Sequence, residues 1–329
     1  MERRATEQSR DHGGNLDQAI AQFGGDMSDW LDLSTGINPV AYPLPEIAAE
    51  AWQVLPRSRD MARLLEAATH AYRTTGAIAA FAGAQGAIQA VPRLRPGGDA
   101  RILAPTYNEH AASLSASGWA VSEVFEPAAL CGADLAVVVN PNNPTGDIYS
   151  PTQLIDIAKD VGLLLVDESF ADPTPELSLA PTLDRHSNIL VLRSFGKFYG
   201  LAGLRLGFAL GSEQLINRLK EIAGPWPVSG PAIEIAVAAL QNKAWQTQTI
   251  TRLGQDATRL DALAAQAGLS LMGGTSLFRT YVAESASCLQ DKLAQAHIWS
   301  RIFPYSDKWI RLGLPGSDED WARLSRALQ

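Results

Sequence analysis

Short runs of consecutive hydrophobic residues recur along the middle of the chain, with helical patterns between them. Three of these runs, 137–139, 163–166 and 189–192, contain no polar residue. Unbroken runs of this kind predict strands that are buried on both faces, as in parallel sheets. Such strands alternate with helices from about residue 77 to 211. This region therefore predicts an α/β fold with a mainly parallel, doubly wound sheet.

The flanking regions have different patterns. A helical pattern covers residues 44–72, with a break near Pro56, and a second covers residues 231–267. The C-terminal region then predicts two strands followed by two helices, at 269–272, 277–282, 287–296 and 317–328. These last elements indicate a small α+β unit that follows the large sheet.

Turn-forming residues suggest where the chain divides. Residues 224–227 read Gly-Pro-Trp-Pro and separate the helical regions on either side. We therefore expect an N-terminal arm (1–43) that contributes to the small domain and the active site, a large cofactor-binding domain (44–224), and a small C-terminal domain (225–329) that begins with an interdomain helix. With 329 residues, 46% of them hydrophobic, the chain is long and apolar enough for two domains.

Composition narrows the classes of function. The net charge is −8 and no block of lysines and arginines offsets it, which argues against nonspecific binding of nucleic acid. The first residues are polar, and no apolar stretch is long enough for export or for spanning a membrane, so we expect a cytoplasmic protein. The two cysteines lie far apart in sequence, and we expect them to be reduced and structural. No metal site is expected.

Polar residues follow the three hydrophobic runs, at the edge where open parallel sheets bind ligands. Asn143 follows the first run, Asp167 the second and Lys197 the third. Lys197 also lies three residues after Ser194 and eight residues before Arg205. A lysine that forms a Schiff base needs a nearby cation to lower its pKa, and the cofactor phosphate needs anion-binding groups. The spacing therefore predicts a lysine that binds pyridoxal 5'-phosphate.

Asp167 and Asn143 each suit a task beside that cofactor. A carboxylate that faces the pyridine nitrogen keeps it protonated, and Asp167 fits this role. An amide that donates to the phenolate oxygen holds the ring, and Asn143 fits this one. Each residue alone has a simpler explanation: Asp167 as a helix N-cap, Asn143 as an Asn-Pro turn and Lys197 as a surface charge. Their occurrence together, each after a buried strand, favours the cofactor site.

These residues resemble those of fold-type I pyridoxal-phosphate enzymes of the class I/II aminotransferase family, and the likeness extends over nearly the whole chain. The matching motifs are the Asn-Pro-Thr-Gly turn at 143–146, the aspartate, and the set of serine, lysine and arginine. The resemblance implies that Tyr107 stacks on the pyridine ring. It also implies a homodimer, and a helix start whose backbone N–H groups bind the cofactor phosphate near Gly83, Ala84 and Gln85.

Within that family the chain most resembles the threonine-phosphate decarboxylases of cobalamin biosynthesis, which are relatives of the histidinol-phosphate aminotransferases. The features of this resemblance are His-Gly-Gly-Asn at 12–15, the segment 33–39, Pro-Trp-Pro-Val at 225–228 and the segment 309–315. It implies decarboxylation of L-threonine O-3-phosphate to (R)-1-amino-2-propanol O-2-phosphate.

The same resemblance implies four substrate-binding residues. Arg311 would hold the carboxylate, because a planar guanidinium matches two carboxylate oxygens. Arg301 would face the second anionic group, His12 would help to bind the substrate phosphate, and Asn143 would contact the substrate as well as the cofactor. Alternative explanations are a surface arginine packed on an apolar neighbour for Arg301 and a disordered terminal histidine for His12.

Three residues depart from the pattern of many relatives. Phe170 replaces a tyrosine of the histidinol-phosphate aminotransferases, which favours decarboxylation, while Leu55 and Gly196 replace hydroxyl-bearing residues that help to anchor the cofactor phosphate. Two other functions stay open. One is a histidinol-phosphate-type aminotransferase that uses 2-oxoglutarate, and the other is a cofactor-binding scaffold without turnover. The pairing of Asp167 with Lys197 argues against the scaffold.

Overall fold

The computed structural model describes residues 12–329, so residues 1–11 of the expected N-terminal arm lie outside the described part. Its α-helices are α1 (Leu16–Phe23), α2 (Ala49–Gln53), α3 (Ser58–Tyr72), α4 (Gly83–Ala90), α5 (Glu109–Ala116), α6 (Pro151–Lys159), α7 (Phe195–Phe198), α8 (Glu213–Ala223), α9 (Gly230–Gln241), α10 (Lys243–Gln266), α11 (Ala286–Gln295) and α12 (Asp318–Leu328). Its strands are β1 (Leu31–Asp32), β2 (Ala77–Ala82), β3 (Asp99–Leu103), β4 (Ala120–Val124), β5 (Leu135–Val139), β6 (Leu164–Asp167), β7 (Ile189–Ser194), β8 (Leu206–Gly211), β9 (Ser270–Thr275), β10 (Phe278–Val282), β11 (Ile298–Trp299), β12 (Arg301–Phe303) and β13 (Ser306–Gly313).

A seven-stranded sheet with the order β2-β8-β7-β6-β5-β3-β4 forms the centre of the fold. Strand β8 is antiparallel to both of its neighbours, and the other adjoining pairs are parallel. Val138 and Val166 belong to one buried cluster, whereas Val137 and Leu165 belong to another. Successive side chains of a strand point to opposite faces, so both faces of the sheet are covered. The predicted α/β fold class is confirmed.

A second, antiparallel sheet has the order β12-β13-β10-β9 and contacts α10 and α11. The two strands predicted at 269–272 and 277–282 are present as β9 and β10. The helix predicted over 231–267 is two helices, because the chain turns at Asn242 and the Asn242 side chain accepts a hydrogen bond from the Trp245 N–H at 3.1 Å. This side chain caps α10, which ends the continuous helical pattern.

The described part of the expected arm contains secondary structure and core residues. Strand β1 pairs in parallel with β11, and Trp30 packs against Trp299 with ring centroids 6.2 Å apart. Trp30 and Leu33 are buried. The described part of the arm therefore contributes Trp30 and Leu33 to the core. Glycine-rich composition gave no signal for a two-residue strand whose partner lies more than 260 residues away in sequence.

The two cysteines lie at the surface of the protein. Cys131 and Cys288 are free, as expected, but both are exposed, so they are not structural core residues.

Among residues 12–329, no helix combines the length and the apolar character that crossing a membrane requires.

The second sheet holds the turn that carries Asn143. The Thr280 hydroxyl donates to the Pro144 carbonyl at 2.6 Å. A Cβ atom at Gly146 would lie 2.2 Å from the Gly274 nitrogen, so the backbones of the turn and of β9 are in direct contact. This contact leaves no room for a side chain at Gly146 and fixes the turn relative to both sheets.

Gly146→Ala should therefore destabilise the protein more than the left-handed backbone alone requires. Gly268→Ala is the matched control, because the φ angle is 76° at both glycines, whereas nothing lies within 4 Å of the added Cβ at Gly268. We expect a loss of roughly 1–2 kcal/mol in the free energy of unfolding for the control and a larger loss for Gly146→Ala. Equal losses in chemical denaturation would contradict the contact.

Candidate active site

A cavity of about 720 Å³ opens at the carboxyl ends of β5, β6 and β7 and is lined by residues of both sheets. The residues predicted from the sequence for cofactor and substrate all line it: His12, Gly83, Ala84, Gln85, Tyr107, Asn143, Asp167, Ser194, Lys197, Arg205, Arg301 and Arg311. The structure thus brings the whole predicted set together, while the role of each residue stays a prediction.

Lys197 lies in the short helix α7, directly after β7. Asn38 supports this turn twice: its backbone N–H donates to the Lys197 carbonyl at 2.9 Å, and its side-chain amide donates to the Phe198 carbonyl at 2.8 Å. The backbone N–H of Tyr42 donates to the Tyr199 carbonyl at 2.8 Å. No local pattern predicted that Asn38 supports the lysine turn. The available signal for this role was the Asn-Pro pair within the segment 33–39.

The environment of Lys197 favours the neutral amine. Its pKa is lowered to about 8, first by removal from water and then by the positive charges of Arg311 and Arg205, against an opposing contribution from Asp167. The neutral amine is the nucleophilic form of lysine. The sequence pointed to Arg205 as the responsible cation, but Arg311 has the larger effect.

Asp167 ends β6 and is buried. One carboxylate oxygen lies 2.9 Å from His110 Nε2, and the other accepts a hydrogen bond from the Ser169 N–H at 2.9 Å. Burial alone would raise the pKa of Asp167, but the hydrogen bonds from His110 and Ser169 more than offset it, so the pKa lies below its ordinary value. Asp167 caps no helix among residues 12–329, which removes the alternative explanation.

His110 is a site residue that the sequence analysis missed. It is buried on α5, and its ring centroid lies 6.1 Å from that of Tyr107. A ring nitrogen that faces a carboxylate orients both groups. The available signal was the three-residue spacing from Tyr107, which has meaning only once α5 is known to pack beside the sheet.

Arg311 is buried on β13 and reaches across to the other sheet. Its Nη1 donates to Asn143 Oδ1 at 2.5 Å, and its Nη2 donates to the Ser34 carbonyl at 2.6 Å. Removal from water and the charge of Arg301 lower the pKa of Arg311 to about 10. Its Nε is buried and has no partner among the described residues. Since a buried donor without an acceptor is costly, this atom fits an anionic ligand group.

The first turn of α4 is suited to a phosphate group. Gly83, Ala84 and Gln85 are its first residues, and no side chain caps it, so its first N–H groups face the cavity side uncapped. A Cβ atom at Gly83 would lie 2.7 Å from Arg205 Nη2, so the glycine gives the guanidinium its place over the helix start. Ser194 ends β7 and lines the same cavity. These features fit the phosphate of pyridoxal phosphate.

Tyr107, His12 and Arg301 complete the set. Burial raises the pKa of Tyr107 to about 12, so its phenol stays neutral. His12 Nε2 lies 3.1 Å from Glu109 Oε1, and His12 belongs to the described part of the chain. Arg301 is directly opposite Arg311 in the register of β12 and β13, while its guanidinium carbon lies 5.5 Å from the Phe303 ring centroid. Arg301 therefore both packs on an aromatic neighbour and lines the cavity.

The three residues that depart from the pattern of many relatives lie in different parts of the structure. A Cβ atom at Gly196 would lie 2.6 Å from Ala202 Cα, so a serine or threonine does not fit there without movement of the backbone. The Phe170 ring centroid lies 5.5 Å from Lys197 Nζ, at the cavity wall. Leu55 is exposed and does not line the cavity.

Comparisons with known proteins agree with this site. Residues 57–328 match the family model for aminotransferase class I and II. A threonine-phosphate decarboxylase from Sinorhizobium sp. is 43% identical over 325 residues, which cover 96% of this chain and 97% of that protein. One from Pseudomonas aeruginosa is also 43% identical and covers 97% of each chain. A solved histidinol-phosphate aminotransferase from Sinorhizobium meliloti, in complex with pyridoxal-5'-phosphate, gives a TM-score of 0.81 at 20% identity over 98% of each chain.

The fold and the site define a fold-type I enzyme that uses pyridoxal phosphate. The chain belongs to the class I and II aminotransferase family. Its cofactor is pyridoxal 5'-phosphate, as the spacing of Ser194, Lys197 and Arg205 predicted.

Capture of pyridoxal phosphate by the apoprotein should accelerate as the pH rises through about 8, because the neutral Lys197 amine is the reactive form. Arg311→Gln should move this midpoint to higher pH, because it removes the largest charge contribution that lowers the lysine pKa. Arg279→Gln is the control, since Arg279 pairs with Asp261 and does not line the cavity. The growth of visible absorbance measures capture, and an unchanged midpoint in Arg311→Gln would refute the coupling.

Proposed function

We propose that this protein catalyses the pyridoxal-phosphate-dependent decarboxylation of L-threonine O-3-phosphate to (R)-1-amino-2-propanol O-2-phosphate in cobalamin biosynthesis. The observation that carries the proposal is that Arg311, Arg301 and His12 line the same cavity as Lys197 and Asp167. These three side chains can hold the carboxylate and the phosphate of one amino acid together. The identity of 43% with the two decarboxylases over nearly the whole chain supports the same reaction.

Bound pyridoxal phosphate supplies an electron-accepting ring. Asp167, kept ionised by His110 and Ser169, holds the proton on the pyridine nitrogen. The Asn143 carbonyl oxygen is occupied by Arg311, which leaves the amide N–H₂ of Asn143 to donate to the phenolate oxygen. The uncapped first turn of α4 holds the cofactor phosphate.

Arg311 orients the substrate and thereby selects the bond that is cleaved. Each of its terminal nitrogens uses one N–H group on a protein atom, which leaves Nε–H and the second N–H of each terminal nitrogen to bind the substrate carboxylate. With the carboxylate held by Arg311 and the phosphate by Arg301 and His12, the substrate is fixed at two points. Binding at these two points orients the bond between Cα and the carboxylate. Lys197 then returns a proton to Cα after carbon dioxide leaves.

We also propose a cytoplasmic homodimer. Trp52, Leu55 and Trp226 are 67%, 61% and 55% exposed, which is unusual for large apolar side chains. A Cβ atom at Gly230 would lie 2.2 Å from the Ala51 carbonyl oxygen, so the chain after Trp226 packs against α2. We place these exposed apolar side chains in the interface with a second copy. The division into an arm of residues 1–43 and domains of residues 44–224 and 225–329 is likewise proposed.

Release of labelled carbon dioxide from carboxyl-labelled L-threonine O-3-phosphate tests the reaction. With pyridoxal phosphate and without a 2-oxo acid, we expect repeated turnover, and none in Lys197→Ala. Formation of glutamate from histidinol phosphate and 2-oxoglutarate, without carbon dioxide release, would identify an aminotransferase instead. No chemical change with either substrate would leave the cofactor-binding scaffold.

Asp167→Asn should retain the cofactor but lose about 10²–10⁴-fold in kcat, because a neutral amide does not hold the proton on the pyridine nitrogen. Ser169→Ala removes the hydroxyl that donates to Asp167 Oδ1 but leaves the charge of Asp167, so the loss in kcat should be smaller. Steady-state kinetics on the cofactor-loaded proteins measure both. Equal kcat values in wild type and Asp167→Asn would rule out this role.

A further inference from the structure

Glu109 is a buried acid directly behind the wall of the active-site cavity. Its side chain is 7% exposed and does not line the cavity, but two of its partners do. Gln85 Nε2 donates to Glu109 Oε2 at 2.6 Å, and His12 Nε2 lies 3.1 Å from Glu109 Oε1. One carboxylate thus contacts both Gln85, at the start of α4, and His12, which lines the cavity.

The backbone beside His12 is held from the other side. The Gly14 N–H donates to the Ser34 hydroxyl at 2.7 Å, and a Cβ atom at Gly13 would lie 2.3 Å from the Ser34 carbonyl oxygen. That carbonyl also accepts the hydrogen bond from Arg311 Nη2. The segment that carries His12 is therefore tied to the carboxylate-binding arginine through Ser34. The imidazole itself contacts Glu109 through Nε2 and the Tyr107 ring at a centroid distance of 6.1 Å.

The bond to Glu109 determines what His12 can do for a ligand. Since Nε2 faces the carboxylate, Nδ1 is the nitrogen that remains for an anion in the cavity. Donation from both nitrogens requires the protonated ring, and the Glu109 carboxylate balances that charge. A carboxylate that binds one ring nitrogen also fixes the orientation of the ring.

We propose that Glu109 is a positioning residue that makes the cavity selective for phosphorylated amines. It holds the His12 imidazole so that Nδ1 donates to the substrate phosphate, and it fixes the Gln85 side chain at the start of α4. This proposal rests on the proposed function, because it takes the phosphorylated amino acid as the ligand. The carbon dioxide assay and a binding assay therefore have to be separate.

The sign of the effect distinguishes positioning from simple electrostatics. Removal of a carboxylate near an anion site strengthens anion binding if only charge matters. Glu109→Gln should instead weaken it, because His12 loses the group that orients it. Glu123→Gln is the matched control: Glu123 lines the same cavity, the change in charge is the same, and no contact joins Glu123 to His12.

The binding probes are O-phosphoethanolamine and ethanolamine, which carry no carboxylate to lose, measured by calorimetry on the cofactor-loaded protein. We expect Glu109→Gln to weaken binding of O-phosphoethanolamine about tenfold and to leave ethanolamine unchanged. With L-threonine O-3-phosphate, KM should rise by the same factor while kcat changes little. Glu123→Gln should bind O-phosphoethanolamine as tightly as wild type, or more tightly.

His12→Ala is a second variant that places little burden on folding, because the His12 side chain is 40% exposed. It should reproduce the loss, and the double variant with Glu109→Gln should show no further loss. Tighter or unchanged binding in Glu109→Gln, or additive losses in the double variant, would overturn the proposal. Loss of phosphate selectivity in a protein that releases no carbon dioxide would support the positioning role and reject the proposed reaction.

Discussion

The hydrogen bond from Arg311 to Asn143 joins the two sheets at the place where the chemistry occurs. Arg311 comes from the antiparallel sheet and Asn143 from the end of β5, so the cavity exists only while both sheets keep their relative positions. The same arginine lowers the pKa of Lys197 and reaches Ser34 in the N-terminal segment. The reactivity of Lys197 and the proposed carboxylate site therefore depend on one buried cation. The Thr280 contact to the Pro144 carbonyl holds the turn in the same place.

Asp167 and Glu168 are neighbours in sequence, but the large sheet places their carboxylates in different surroundings. Asp167 faces His110 and keeps a lowered pKa, whereas Glu168 binds Arg193 and has a pKa raised by burial. Successive residues of a strand point to opposite faces, so the two carboxylates meet different surroundings. Glu168 also accepts hydrogen bonds from the Ser178 hydroxyl and the Leu179 N–H. The sequence pair Asp-Glu thus places an ionised acid in the cavity and a buried ion pair beneath it.

The sequence was sufficient wherever a strong local pattern ended in a polar residue. Unbroken hydrophobic strands followed by Asn143, Asp167 and Lys197 predicted the sheet and the rim where these residues meet. It was insufficient where the partner is distant: Asn38 contacts the lysine turn across 160 residues, and β1 has only two residues. His110 and Glu109 lie on a helix whose packing no local pattern specifies. Their roles follow from tertiary contacts, which one sequence does not contain.

The pairing of β1 with β11 has a consequence for the order of events during synthesis. Leu31 and Asp32 are made more than 260 residues before their partners, Ile298 and Trp299. All seven strands of the large sheet lie between residues 77 and 211, so they are available well before that point. The nascent chain can therefore present the lysine end of the site long before the segment with Ser34 is anchored beside Arg311.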